Sequence, residues 1–159
     1  MNPHEQLIEE FYAGFAAHNA KIMISCYHPD ITFTDPAFGT LTGTDVSDMW
    51  SMLIERSGGN LVVEYSNIRA DESIGSALWT ATYEFSKTKR KVHNMVSSRF
   101  EFKDGLIIRH TDEFDIWKWS RQALGFSGKI FGWSPIMKKK IQRHAISSLR
   151  KYQQTLKSV

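Results

Sequence analysis

Lys91 to Trp119 reads KVHNMVSSRFEFKDGLIIRHTDEFDIWKW, and the reading of this stretch decides the fold. Side chains on a strand alternate with a period of two, so Val92, Val96, Phe100 and Phe102 share one face of a first strand. Leu106, Ile108, Phe114 and Ile116 share one face of a second. The two rows meet the same core only if the connection holds an odd number of residues. Lys103-Asp104-Gly105 supplies three, with Gly105 in the left-handed position of a hairpin loop. This register sets Phe102 opposite Leu106, Phe100 opposite Ile108 and Ser98 opposite His110. Asn94, Ser98, His110 and Asp112 then interrupt an otherwise apolar inner face, where polar groups need partners or a purpose.

Working outward, two more strands precede the hairpin. Leu61 to Ala70 and Ile74 to Phe85 are rich in β-branched and aromatic residues, and Ala77, Trp79, Ala81, Tyr83 and Phe85 alternate on one face of the latter. Ser86 to Lys91 is a basic turn. Near the start, Asn2, Pro3 and Glu5 suit the cap, first and third positions of a helix on which Leu7, Ile8, Phe11, Tyr12 and Phe15 share a face. Asn19 breaks that run, and a short helix through Ile22, Met23, Cys26 and Tyr27 ends before Pro29. Ile31 to Thr34 alternates as a short strand leading into the turn Asp35-Pro36-Ala37-Phe38-Gly39. Thr44 then caps a helix that buries Val46, Met49, Trp50, Leu53 and Ile54 and stops at Gly58-Gly59. About four long antiparallel strands behind helices on one face make an α+β fold.

Beyond Asp115 the pattern predicts a short helix, an irregular link and, from Ser134-Pro135, a last helix. Met137, Ile141, Ala145, Leu149, Tyr152 and Leu156 form its apolar stripe, and Lys138, Lys139, Arg143, Arg150, Lys151 and Lys157 lie mostly off it.

At 159 residues the chain is long enough to bury a core as one domain. Its single cysteine, Cys26, excludes an internal disulfide, and the opening MNPHEQ carries no signal-peptide pattern, so a reducing, cytoplasmic setting is expected. No apolar run approaches a membrane span. The net charge of +3 conceals a split: up to Asp115 there are 10 basic and 17 acidic residues, and from Ile116 onward 10 basic and none acidic. An acidic body and a basic tail are therefore distinct layers.

The order helix, short helix, ITFTDPAFG, capped helix and long strands ending in DGLIIRHTDEFD resembles the SnoaL-like branch of the nuclear-transport-factor-2-like superfamily. That superfamily includes ketosteroid isomerases, limonene-type epoxide hydrolases and polyketide cyclases. The resemblance covers roughly residues 5 to 117 and implies a cone: a curved antiparallel sheet wrapped around N-terminal helices, enclosing a deep apolar pocket. Residues 1–117 would form the SnoaL-like domain and 118–159 a helical extension packed on it. This superfold hosts many activities, so function has to be argued from the site.

Carried over by position, the resemblance puts Asp35 of the Asp35-Pro36 pair where ketosteroid isomerases hold a proton-shuttling aspartate. Their two oxyanion donors fall at Phe11, beside Tyr12, and at Ser98, so steroid isomerisation is not expected. The epoxide hydrolases' arginine and aspartate have no counterpart around Thr80 to Glu84, although their last-strand aspartate matches Asp112. His110 and Asp112 resemble most closely the histidine and aspartate of SnoaL-like cyclases.

The expected chemistry is acid/base proton transfer of isomerase, cyclase or hydrolase type on a hydrophobic carbonyl or polycyclic compound. An aspartate in an apolar cavity is pushed toward the range where it can take and return a proton, and a histidine beside it can orient it. Asp112, His110 and Asp35 are thus the catalytic candidates. Tyr12, Phe15, Trp50, Trp79, Tyr83, Asn94, Ser98 and Phe114 are candidates to line the ligand site. Structural readings stand beside these: Asp35 as a turn aspartate, and His110 with Asp112 as a mutually satisfied pair fixing register. No cofactor is expected and no metal, because His93 faces away from His110 and Asp112. The outer sheet face, with His93, Arg99, Glu101, Arg109, Thr111 and Glu113, suits a homodimer. An alternative is a non-enzymatic ligand-binding or interaction module whose basic C-terminal helix, helped by Trp117, Trp119, Phe131 and Trp133, contacts an anionic membrane surface or partner. Nucleic-acid binding is not expected.

Overall fold

This computed structural model describes residues 1–125 and 134–158. Helix α1 (Pro3–Ala16) begins with the expected capping box: Asn2 Oδ1 accepts from the Glu5 amide at 2.9 Å, and Glu5 Oε2 accepts from the Asn2 amide at 3.2 Å. Ile8, Phe11, Tyr12 and Phe15 are its buried face. Asn19 caps α2 (Ala20–Ser25). Strand β1 (Tyr27–Asp35) starts earlier than expected and contains Pro29, so Tyr27 is a strand residue and not a helical one. Proline is tolerated there because the ladder to its neighbour is irregular between Tyr27 and Thr32. Then come β2 (Gly39–Thr42) and α3 (Thr44–Arg56). Gly43, at φ 56°, holds the cap position expected of Thr44, which is instead the first helical residue.

Strands β3 (Val62–Ala70), β4 (Ile74–Phe85), β5 (Arg90–Lys103) and β6 (Leu106–Glu113) follow. The curved sheet has six strands, the four long ones expected, β1 over the short strand expected at Ile31 to Thr34, and β2 in addition, in the order β2-β1-β6-β5-β4-β3. All neighbours are antiparallel except β1 and β6, which run parallel. That parallel junction carries Phe33 beside His110 and Thr34 beside Thr111.

The β5–β6 hairpin corrects the expected register. Lys103 pairs with Leu106, so the loop is Asp104-Gly105, with φ of 54° and 76°. Two positive φ values are what a two-residue loop between right-twisted strands requires. Phe102 then faces Ile107, and a bulge beyond it places Ile108 as the extra residue before Glu101 pairs with Arg109. Phe100 therefore faces His110, and Ser98 faces Asp112 rather than His110. The bulge restores the parity that a two-residue loop would have broken, so His110 and Asp112 still point inward.

Helix α4 (Ile116–Leu124) follows, capped by Asp115. The expected irregular link, with Phe131 and Trp133, lies outside the described residues. Helix α5 (Pro135–Lys157) starts at Ser134, as expected, and packs on α3. Leu149 and Tyr152 are its buried residues, while Leu156 at the end of the stripe is exposed. Polar contacts complete the docking. Arg150 holds both Asp45 oxygens at 2.8 and 3.1 Å, Gln153 donates to Asp45 and Asp48, and Tyr152 donates to Glu55. Much of the apolar stripe is thus spent inward, and a basic face is left outward. Among the described residues no helix is long and apolar enough to cross a membrane.

Candidate active site

His110 and Asp112 sit two apart on β6 and are fully and almost fully buried, respectively. Their hydrogen-bond directions follow by elimination. The Trp50 indole can only donate, and it reaches Tyr27 Oη at 2.9 Å. The Tyr27 proton is then free for His110 Nδ1, 2.8 Å away, which fixes the ring proton on Nε2. Nε2 donates to Asp112 Oδ1 at 2.8 Å.

A second branch ends on the same atom. Tyr12 and Trp79 donate to Ser98 Oγ at 2.7 and 2.9 Å, so the Ser98 hydroxyl donates onward to Asp112 Oδ1. Burial first, and then the Asp112 charge, push the Tyr12 and Tyr27 hydroxyls well above the ordinary tyrosine range, which keeps both as donors. Asp112 Oδ2, by contrast, has no hydrogen-bond partner among the described residues, and Asp112 lines a cavity. One oxygen is anchored and the other is presented.

Asp35 is the next residue beyond Thr34, whose strand partner is Thr111, so Asp35 and Asp112 follow on neighbouring strands about 4.8 Å apart. Its Oδ1 accepts the amides of Ala37 and Phe38 at 3.0 and 2.6 Å, as a turn aspartate should, and the side chain also lines the cavity. The turn and the pocket are not alternatives. Burial raises the carboxyl to about 7; the two amides oppose this and the Asp112 charge adds to it.

The cavity measures about 360 Å³ and is lined mainly by apolar and aromatic side chains. It is a size that accommodates a small organic ligand. Of the residues expected to line it, Phe15, Trp50, Trp79, Tyr83, Asn94 and Phe114 do so. Tyr12, Ser98 and His110 lie behind it, in the network that ends on Asp112. Sequence reasoning missed Tyr27, although a buried histidine has two ring nitrogens and so demands a second partner. It also missed Trp119, whose indole donates to Tyr83 Oη at 2.7 Å, and the wall contributed by α5 through Ile141, His144, Ala145 and Ser148. The 141, 144, 145, 148 spacing could have revealed that wall as one helical face. Among the described residues, no group of three or more His, Cys, Asp or Glu is placed to hold a metal ion.

The SnoaL-like domain family matches residues 8–110 of the chain. Several solved structures are similar. TerC, crystallised with polyporic acid, aligns at TM-score 0.64 and 18% identity over 76% of this chain and 98% of its own. An NTF2-like protein from Burkholderia pseudomallei K96243 aligns at TM-score 0.65 and 17% identity over 77% and 98%. An LEH-like epoxide hydrolase from M. tuberculosis aligns at TM-score 0.59 and 19% identity over 80% and 92%. At these identities the likeness is one of fold. Among curated proteins none matches the sequence.

Proposed function

Since the chain belongs to the SnoaL-like domain family, a family of small-molecule-binding proteins and enzymes, we propose that it catalyses proton transfer on a hydrophobic carbonyl or polycyclic compound. The observation that carries this reading is the pair of neighbouring carboxylates at one apolar cavity in opposite environments. Asp112 has two donors on Oδ1 and a free Oδ2, which suits a base. Asp35, raised to about 7, holds a proton near neutrality and suits an acid. A carboxyl raised by burial beside one that is hydrogen-bonded on a single oxygen is a means of dividing acid and base roles within one site. Asp112 Oδ2 takes a proton from carbon beside the ligand carbonyl, while the Asp35 carboxyl donates a hydrogen bond to the oxygen that gains charge. His110 positions Asp112 and does not itself reach the ligand. Phe15, Trp50, Trp79, Tyr83 and Phe114 supply the apolar walls, with Asn94 as a polar contact.

The test needs no known substrate. Enolisable ketones such as 2-tetralone exchange their α-hydrogens in D2O, and NMR follows the loss of signal. Wild type should accelerate exchange from at least one ketone in a panel, and Asp112→Asn should slow it by about 10² to 10⁴-fold. No acceleration across the panel, or equal rates in wild type and variant, would defeat the assignment.

A homodimer through the outer sheet face belongs to the same proposal. Val62, Ile74, Leu78 and Met95 alternate outward on β3, β4 and β5 and are 43 to 63% exposed. Apolar side chains exposed along one face of the sheet suit a partner surface. Sedimentation equilibrium of wild type and of Met95→Glu checks it: a monomeric wild type removes the dimer.

A further inference from the structure

We propose that the ligand carries an anionic group, bound at the cavity rim by Lys87 and His144, and that α5 is the element that makes this pocket selective. The inference rests on the cavity being a ligand site, as proposed above.

The cavity has three zones. Asp35 and the buried Asp112 sit together on neighbouring strands, aromatic side chains line the walls, and the exposed Lys87, His144 and Arg56 mark the rim, where Glu84 is the one exposed acid among the described lining residues. Lys87 comes from the β4–β5 turn and His144 from α5, so the rim exists only because the extension is docked. Lys87 Nζ lies 3.3 Å from His144 Nδ1. Lysine can only donate, so His144 accepts on Nδ1 and carries its proton on Nε2. The pair therefore offers two kinds of N–H donor, and among the described residues Lys87 forms no ion pair with a carboxylate. A cation left unpaired beside an apolar opening is poised for a ligand anion. Burial, Lys87 and Lys151 all lower the His144 pKa, which marks a locally positive rim.

Polarity fixes the ligand's direction. An anionic group would be repelled by Asp112 at the inner end and attracted by Lys87 at the rim, so a neutral carbonyl points inward and the charge outward. Ile141 and Ala145 on α5 press on the apolar part between them. Helix α5 lies beyond residues 8–110, which the family match covers, and in this proposal it sets which members of a substrate class the pocket accepts. The class is a flat apolar molecule bearing a carboxylate, sulfonate or similar monoanion away from its reactive end.

Two fluorescent probes isolate the charge. N-phenyl-1-naphthylamine is neutral, and 8-anilinonaphthalene-1-sulfonate is the same skeleton with a sulfonate. Wild type should bind both, the sulfonate more tightly. Lys87→Gln and His144→Gln should each weaken the sulfonate about tenfold and leave the neutral probe within twofold, while Lys87→Arg should restore it. Lys139→Gln, on the exposed face of α5, should change neither. A sulfonate affinity that ignores Lys87 and His144 overturns the rim site while neutral binding upholds the cavity. Equal loss in Lys139→Gln shows surface attraction and also overturns it. Failure of both probes to bind wild type overturns the cavity and the rim together.

Discussion

Ser98 and Asn94 lie on the same inner face of β5, four residues apart, yet the protein treats them differently. Ser98 is fully buried, receives two donors and gives its own proton to Asp112. Asn94 is half-buried, lines the cavity and has no side-chain hydrogen bond among the described residues. The difference marks a boundary along the sheet. Toward Phe100 and His110 the interior is solid, and every polar atom serves to aim another. Toward Tyr83 and Phe114 it is open, and polar atoms are left for a guest. Asp112 straddles the boundary, with one oxygen in each region.

If the closed region is a positioning device, breaking it should be costly. Ser98→Ala leaves Tyr12 Oη and Trp79 Nε1 without their acceptor and Asp112 Oδ1 with one donor instead of two. Buried donors stripped of partners cost about 1–3 kcal/mol each, so a loss of about 3–5 kcal/mol is expected in urea unfolding. Asn94→Ala, the matching change in the open region, should cost under about 1 kcal/mol. Equal losses at the two positions would erase the boundary.

The second prediction has the opposite sign. Burial raises Asp35 to about 7 from the ordinary 3.8 of a free aspartate. The folded state thus binds a proton that the unfolded state has released, and its stability falls as pH rises from about 4 to about 7 and then levels off. Asp35→Asn keeps an oxygen for the Ala37 and Phe38 amides and has no charge to bury. It should stabilise the protein by about 1.5 kcal/mol at pH 5 and about 4 kcal/mol at pH 8, read as unfolding free energies. Stabilisation that does not grow over that interval would place Asp35 in water and remove it as the acid. Stability gained by deleting a carboxylate is the mark of a group kept for something other than folding.

The same boundary explains what the sequence revealed. Strand β4 was legible to the residue and β5 nearly so because β-branched and aromatic alternation is strong there, whereas β6 ends at Glu113, buries Ile107 in place of Leu106 and Ile108, and leaves Ile116 to α4. The inner-facing set Asn94, Ser98, His110 and Asp112 matches the alternation, for the last two because the bulge at Ile108 offsets the shorter loop. The register was not legible, because Leu106, Ile107 and Ile108 are consecutive apolar residues and nothing in their order says which one a bulge will set aside. Asp104 also adopts φ 54°, a conformation aspartate tolerates and that shortens the loop by one residue. Tyr27 was hidden for another reason. Its role depends on a parallel pairing with β6 across about 80 residues, and its local neighbours fit a helix end equally well. The α5 wall is likewise a matter of docking: an amphipathic stripe declares that it will pack, but not against what.

The smallest effect expected concerns that docking, where the contrast between closed and open interior gives way to surface chemistry. Arg150 grips both oxygens of Asp45, but the two side chains are 51% and 28% exposed, so solvent screens the pair. Leu149, fully buried, and Tyr152 carry the apolar share of the contact. Arg150→Gln should therefore lower stability by no more than about 1 kcal/mol at pH 7. The Arg150 hydrogen bond holds the Asp45 carboxyl below its ordinary range, so the contribution is present above the unfolded-state value and fades as pH falls through the lowered one. Wild type and variant should converge in strong acid. Leu149→Ala, by contrast, should cost about 2–5 kcal/mol and open the cavity wall, weakening the neutral naphthylamine probe as well. If the arginine outweighs the leucine, α5 is held by charge and should come away from the pocket in high salt; if the leucine dominates, the wall is a permanent part of the site.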